Sequence, residues 1–166
     1  MAGCDLTVRT RPAFKNSTNK VIREKSEITQ QYQNRVTPPV VDWLMPDEIF
    51  VFGSNAAGIH GAGAARTALE LFGAKHGQGT GFTGQCYAIP TKDKKIETLS
   101  IDIVKKYIDL FVHCVPYYPT KTFLVTAIGC GLAGYTPEEI APLFEKAVNL
   151  GNVHLPAEFW EVLNRN

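Results

Sequence analysis

The sequence predicts an α/β fold in which helices cover both faces of a mostly parallel sheet. Three observations carry that expectation. From residue 48 onward, apolar runs of strand length alternate with longer segments whose apolar residues recur at helical spacing, the pattern of strands joined by crossover helices. Two glycine clusters, FGSNAAGIHGAG and AIGCGLAGYTP, follow directly on apolar runs, at the carboxyl ends of strands where ligands gather in such folds. At 166 residues the chain suits one domain, which buries roughly 70% of the surface its unfolded form would expose and needs no disulfide or metal staple.

Residues 1–40 are polar and read as an N-terminal extension or arm, either free or packed on the domain, with a short strand at LTVRT and a helix around NKVIREKSEITQQYQN. TPP at 37–39 stiffens the chain, because each proline fixes its own φ and pushes its predecessor out of the helical region. The compact domain is expected over 41–166. EIFVFGS at 48–54 is a buried strand. In GAGAARTALELFGA, Ala65, Ala68, Leu69 and Phe72 fall on one helical face and Gly73 supplies the stop. GQGTGFTG reads as a flexible αβ connection before the strand QCYAIPT at 85–91. Ser100 is placed to cap a helix with Ile103, Val104, Tyr107, Ile108, Phe111 and Val112 on one face, which Pro116 and Pro119 end. KTFLVTAI at 121–128 is the third strand. Pro137 with Glu138 and Glu139 opens a helix through Ile140, Leu143, Phe144 and Val148. NVHL at 152–155 and AEFWEVL add a short strand and a last helix.

Composition narrows the function. Seventeen Lys and Arg stand against sixteen Asp and Glu, so no excess of positive charge exists to neutralise a long run of phosphates, and extended nucleic-acid binding is not expected. No apolar stretch is long enough to span a bilayer, and the N-terminus has no apolar core of signal-peptide length. Cys4, Cys86, Cys114 and Cys130 are far apart and none joins a histidine at metal-ligand spacing. The expectation is a cytoplasmic protein with free thiols, no metal and no resident cofactor.

G-x-G-x-x-G occurs twice. Gly79, Gly81 and Gly84 precede a strand instead of opening a helix, the wrong orientation for a dinucleotide fingerprint. Gly129, Gly131 and Gly134 do lie between a strand and a helix, although a dinucleotide fold places that loop after its first strand. Taken together, the two small-residue loops suit a diphosphate: each helix N-terminus adds about half a unit of positive charge and unpaired amides, which hold an anion without a basic patch. Taken singly, each loop is better explained by tight turning or close packing.

FGSNAAGIHGAGAARTALELFG, YAIPTK and AIGCGLAGYTPEEIAPLF resemble the macro domain family, which binds ADP-ribose through two loops at the carboxyl edge of a three-layer α/β/α fold with a mostly parallel mixed sheet. IGCGL, GAGAA and YAIPTK look nearest the terminal ADP-ribose protein glycohydrolase branch and macro-like proteins of bacteria and their phages. The likeness covers roughly residues 42–150. It implies that Gly58, Gly61, Ala62 and Gly63 line one side of the diphosphate and that Gly129, Cys130, Gly131, Leu132, Ala133 and Gly134 line the other. It places Tyr135 near the distal ribose, Asp42 nearest the adenine, and Asn55 where hydrolytic members position a water. His60 would orient a hydroxyl or water, and Lys92 approximates a lysine that forms a Schiff base with the opened ribose. Where that glycohydrolase carries an aspartate just after IGCGL, this chain has Ala133.

Three functions stand at this point. The first is a binder of ADP-ribose or an ADP-ribosylated acceptor, with hydrolysis of the ADP-ribose linkage left open. The second is an NAD(P)-dependent oxidoreductase of Rossmann type using the 129–134 loop. The third is a non-catalytic interaction domain whose loops are empty.

Overall fold

The computed structural model describes residues 34–165. The expected strand LTVRT lies outside the described residues, as does the expected helix at 19–34 except for its last residue, Asn34, which forms a turn. The described residues form a three-layer α/β/α fold with five strands and four α-helices. In chain order these are β1 (Glu48–Asn55), α1 (Gly63–Leu71), β2 (Gly81–Thr83), β3 (Cys86–Lys92), α2 (Ile101–Cys114), β4 (Thr122–Val125), α3 (Pro137–Ile140), β5 (Val153–His154) and α4 (Ala157–Leu163). A 3₁₀ helix, Ala141–Asn149, joins α3 to β5. The strand order is β2-β3-β1-β4-β5; β3, β1, β4 and β5 run parallel and β2 lies antiparallel on β3.

β1 is apolar at consecutive positions because both of its faces are covered. Ile49 and Val51 join the core under α2, the 3₁₀ helix and α4, whereas Phe50 and Phe52 join the smaller core under α1. Phe52 is fully buried, and Phe50 packs with its ring centroid 5.0 Å from that of Phe72. Burying a side chain of this size contributes about 1.5–3 kcal/mol. A one-residue slip would exchange the two sets, so the pairings Phe50↔Cys86 and Phe50↔Leu124 are strongly specified.

Four expectations change. The 77–84 segment is an edge strand and a packed corner, not a bare connection: a Cβ on Gly79 would lie 2.0 Å from the Asn55 carbonyl oxygen, and the Ser54 hydroxyl donates to the Gly79 carbonyl. The helix expected from Pro137 to Val148 is one α-turn followed by 3₁₀ helix, because Pro142 has no N–H to give to residue 138 and its ring crowds that carbonyl. Ser100 occupies the N-cap of α2 without a side-chain capping bond, and Ile103 is exposed on that helix. Finally, the compact unit includes residues ahead of 41: Thr37 N–H donates to Leu155 O at 2.9 Å, Leu155 N–H donates to Arg35 O at 3.2 Å, and Val36 bridges Leu155 in parallel.

Candidate functional site

A cleft of about 650 Å³ opens at the carboxyl ends of β1, β3 and β4. Both glycine loops line it. α1 begins there with Ala62 as its N-cap, so no side-chain oxygen covers its first turn, which also lacks an acidic residue. Its first backbone bond runs from Arg66 N–H to Ala62 O at 3.2 Å. The N–H groups of Gly61, Ala62, Gly63, Ala64 and Ala65 have no acceptor among the described residues, and all five residues line the cleft. The second loop closes on itself through Cys130 N–H to Ala127 O at 3.1 Å, Gly134 N–H to Gly131 O at 3.0 Å and Tyr135 N–H to Gly129 O at 3.0 Å. That closure leaves the N–H groups of Gly131, Leu132 and Ala133 without acceptors among the described residues, and these residues line the same cleft. The helix after this loop does not contribute its start. Glu139 accepts the Thr136 N–H at 2.9 Å, so α3 caps itself outside the cleft.

The sequence-predicted residues divide. Asn55, Gly61, Ala62, Gly63, Lys92, Gly129, Cys130, Gly131, Leu132 and Ala133 line the cleft. The Asn55 carboxamide is engaged at both ends: Nδ2 donates to Ile59 O at 2.7 Å and Oδ1 accepts the Ile59 N–H at 3.0 Å. It shapes the first loop and retains one Nδ2 hydrogen for a ligand. Lys92 reaches the cleft through a bulge. The β1–β3 register passes from Ser54↔Pro90 to Asn55↔Lys92, so Thr91 is the extra residue, and the strand end is re-aimed. Lys92 is the one charged residue among the twenty described residues that line the cleft, and no described carboxylate accompanies it.

Five expected residues are not in the lining. His60 is 1% exposed; its Nε2 lies 3.1 Å from both Lys75 O and Gln78 O, which only accept, so Nε2 carries its hydrogen and braces the 75–78 turn. Its ring stands edge-on to Phe52 with centroids 5.3 Å apart. In this arrangement the imidazole props the 75–78 turn and does not line the cleft. Gly58 is a packing glycine, at φ +68° with a Cβ that would meet the Gly77 carbonyl carbon at 2.4 Å. Tyr135 gives its hydroxyl to the Leu99 carbonyl, and Gly134 sits at φ +83° in the turn before it. Asp42 is exposed and outside the cleft.

A second hollow of about 410 Å³ shares Ala64, Thr126 and Ala127 with the cleft. Pro39, Val41, Phe50 and Pro156 give it an apolar wall, and Glu158 is the one carboxylate among its described lining residues. Sequence reasoning missed this hollow because 36–41 and 156–158 meet only through pairing at the β5 edge. It also missed Thr91, Ile96 and Thr126 in the cleft; their only signal was position at or just beyond a strand end. The Cys130 thiol is pushed up to about 11, by burial first and then by Glu158, Glu138 and Glu139, so it lines the cleft as a neutral group. No family model matches the chain, and neither a curated protein nor a solved structure matches it.

Proposed function

We propose that this protein binds ADP-ribose or a closely related nucleoside diphosphate in the cleft between the 61–65 and 131–133 segments. The observation that carries the reading is the eight backbone N–H groups, without acceptors among the described residues, that line one cleft from two loops. Oriented amides and an uncapped helix start hold an anion without a basic surface, which agrees with a net charge of +1. The adjoining hollow supplies what a nucleobase needs, an apolar slot with an acceptor, here Glu158 instead of Asp42. The base would lie there and the diphosphate in the cleft.

Binding is better supported than hydrolysis. Among the described residues Lys92 has no carboxylate beside it in the cleft to act as its acid or base, and most of the hydrogen-bonding capacity of the Asn55 amide is taken by Ile59. A Rossmann-type oxidoreductase is less well supported, since the 129–134 loop follows β4 and leads to a four-residue helix capped by its own side chain. Calorimetry with ADP-ribose, NAD and AMP in parallel tests the reading. ADP-ribose should bind most tightly; preferential NAD binding would overturn the proposal, and the absence of binding by all three would favour an interaction domain.

A further inference from the structure

The turn after β3 holds the one non-glycine residue at positive φ among the described residues, Ile96 at +69°. A β-branched side chain is disfavoured there, and strain of this kind gathers at ligand clamps and active sites. The turn is firmly held in this shape. Asp93 Oδ1 accepts the N–H groups of Lys95 at 2.7 Å and Glu97 at 3.0 Å, Asp93 N–H donates to Glu97 O at 2.8 Å, and Lys92 pairs with Thr98 below. It is also tied to the second glycine loop, since Thr98 Oγ1 donates to Ala133 O at 3.1 Å and the Tyr135 hydroxyl to Leu99 O.

Core packing does not explain Ile96, which is 40% exposed. It lines the cleft together with Ile59, 53% exposed, and Leu132, 75% exposed. Strand order places this rim. β3, which leads into Ile96, lies on one side of β1, and the apolar hollow lies on the other side, towards β4 and β5. A ligand with its base in the hollow and its diphosphate at the amides extends its far end towards Lys92 and Ile96.

We propose that Ile96, with Leu132 and Ile59, forms an apolar lip that grips the uncharged group attached beyond the diphosphate, and that Ile96 sets preference for a sugar-bearing nucleoside diphosphate over the bare one. This rests on the diphosphate reading above. The strained backbone is retained because the side chain it carries covers the ligand.

Calorimetry of the full chain with ADP-ribose and with ADP, beside thermal melts without ligand, tests the lip. Ile96→Gly should raise the melting temperature by about 2–4 °C as the strain is relieved. The same variant should weaken ADP-ribose binding about tenfold while leaving ADP unchanged. Leu132→Ala should weaken ADP-ribose in the same way without moving the melt. A lower melting temperature with unchanged ADP-ribose affinity would assign Ile96 to the fold and overturn the lip. Equal weakening of ADP and ADP-ribose would overturn it too, as would unchanged binding of both by Ile96→Gly. Wild-type protein that binds neither ligand would overturn the diphosphate reading itself, and the lip with it.

Discussion

At the scale of single residues, glycines that share one sequence signature separate into two physical kinds. Gly58 and Gly84 are fixed by the fold, with positive φ and an added Cβ that would sit 2.4 Å from backbone atoms of Gly77 and Gly73. Gly61 and Gly131 have nothing within 4 Å of such a Cβ and carry no positive φ. The two kinds predict opposite phenotypes. Gly58→Ala should destabilise by about 1–2 kcal/mol for the left-handed backbone and about 1–3 kcal/mol for overpacking, read as a lower denaturant midpoint. Gly131→Glu should fold with stability within about 0.5 kcal/mol of wild type. It places a carboxylate near the diphosphate, where like charges about 4 Å apart repel by about 4 kcal/mol, so ADP-ribose affinity should fall by about a hundredfold or more. A Gly131→Glu variant that binds normally would remove the clamp. Both kinds read as G in the sequence, so the sequence alone does not show that Gly58 packs against the 77–78 backbone.

At the scale of elements, the least regular helix is held by the most connected side chain. The 3₁₀ helix Ala141–Asn149 ends over Arg35, whose guanidinium donates to Val148 O at 2.9 Å, Ala147 O at 3.2 Å, Leu150 O at 2.7 Å and Val153 O at 3.0 Å. It also lies 5.1 Å from the Trp160 ring centroid, and Trp160 Nε1 donates to Arg35 O at 2.8 Å. A cation at a helix carboxyl end, stacked and forked, ties the 34–37 segment to β5 and α4. Arg35→Ala should cost on the order of 3 kcal/mol, because several carbonyls lose a charged donor together. Arg35→Lys should recover little of that in thermal melts, since an ammonium cannot fork to so many acceptors. Strands β1, β3 and β4 were legible because their apolar runs report two-sided burial. The small edge strand β2 was not, since in GFT only Thr83 is buried and its Phe82 packs sideways on Tyr87 and Tyr118.

At the scale of the whole molecule, the desolvated thiols of buried Cys86 and half-buried Cys130 set an alkaline limit. Burial pushes Cys86 up to about 12 and Cys130 up to about 11 from an ordinary value of 9.0. For groups whose folded pKa is raised, the stabilisation is complete below the unfolded value and disappears as pH climbs through the folded one. Stability should therefore be level from pH 7 to 9 and decline between about pH 9 and 12, as followed by denaturant titration in a Cys4→Ser background. A flat profile to pH 12 would show that the thiols ionise without cost. Thiol labelling at Cys130 should be slow at neutral pH and slower still with ADP-ribose bound, because the residue lines the cleft. Among the described residues no helix is long and apolar enough to cross a membrane.

The sequence by itself determined the layered α/β architecture and the placement of both glycine loops at strand ends, because side-chain periodicity and strand-to-helix order are local and each is dictated by burial. Only the tertiary structure decided which residues share the cleft. It brought Lys92 in through a bulge, turned His60 inward onto carbonyls of the 75–78 turn, spent the Tyr135 hydroxyl on Leu99, and joined 36–41 to 156–158 as a second wall. Those outcomes depend on which backbone groups remain unpaired once distant segments have packed, and no single stretch of sequence carries that information.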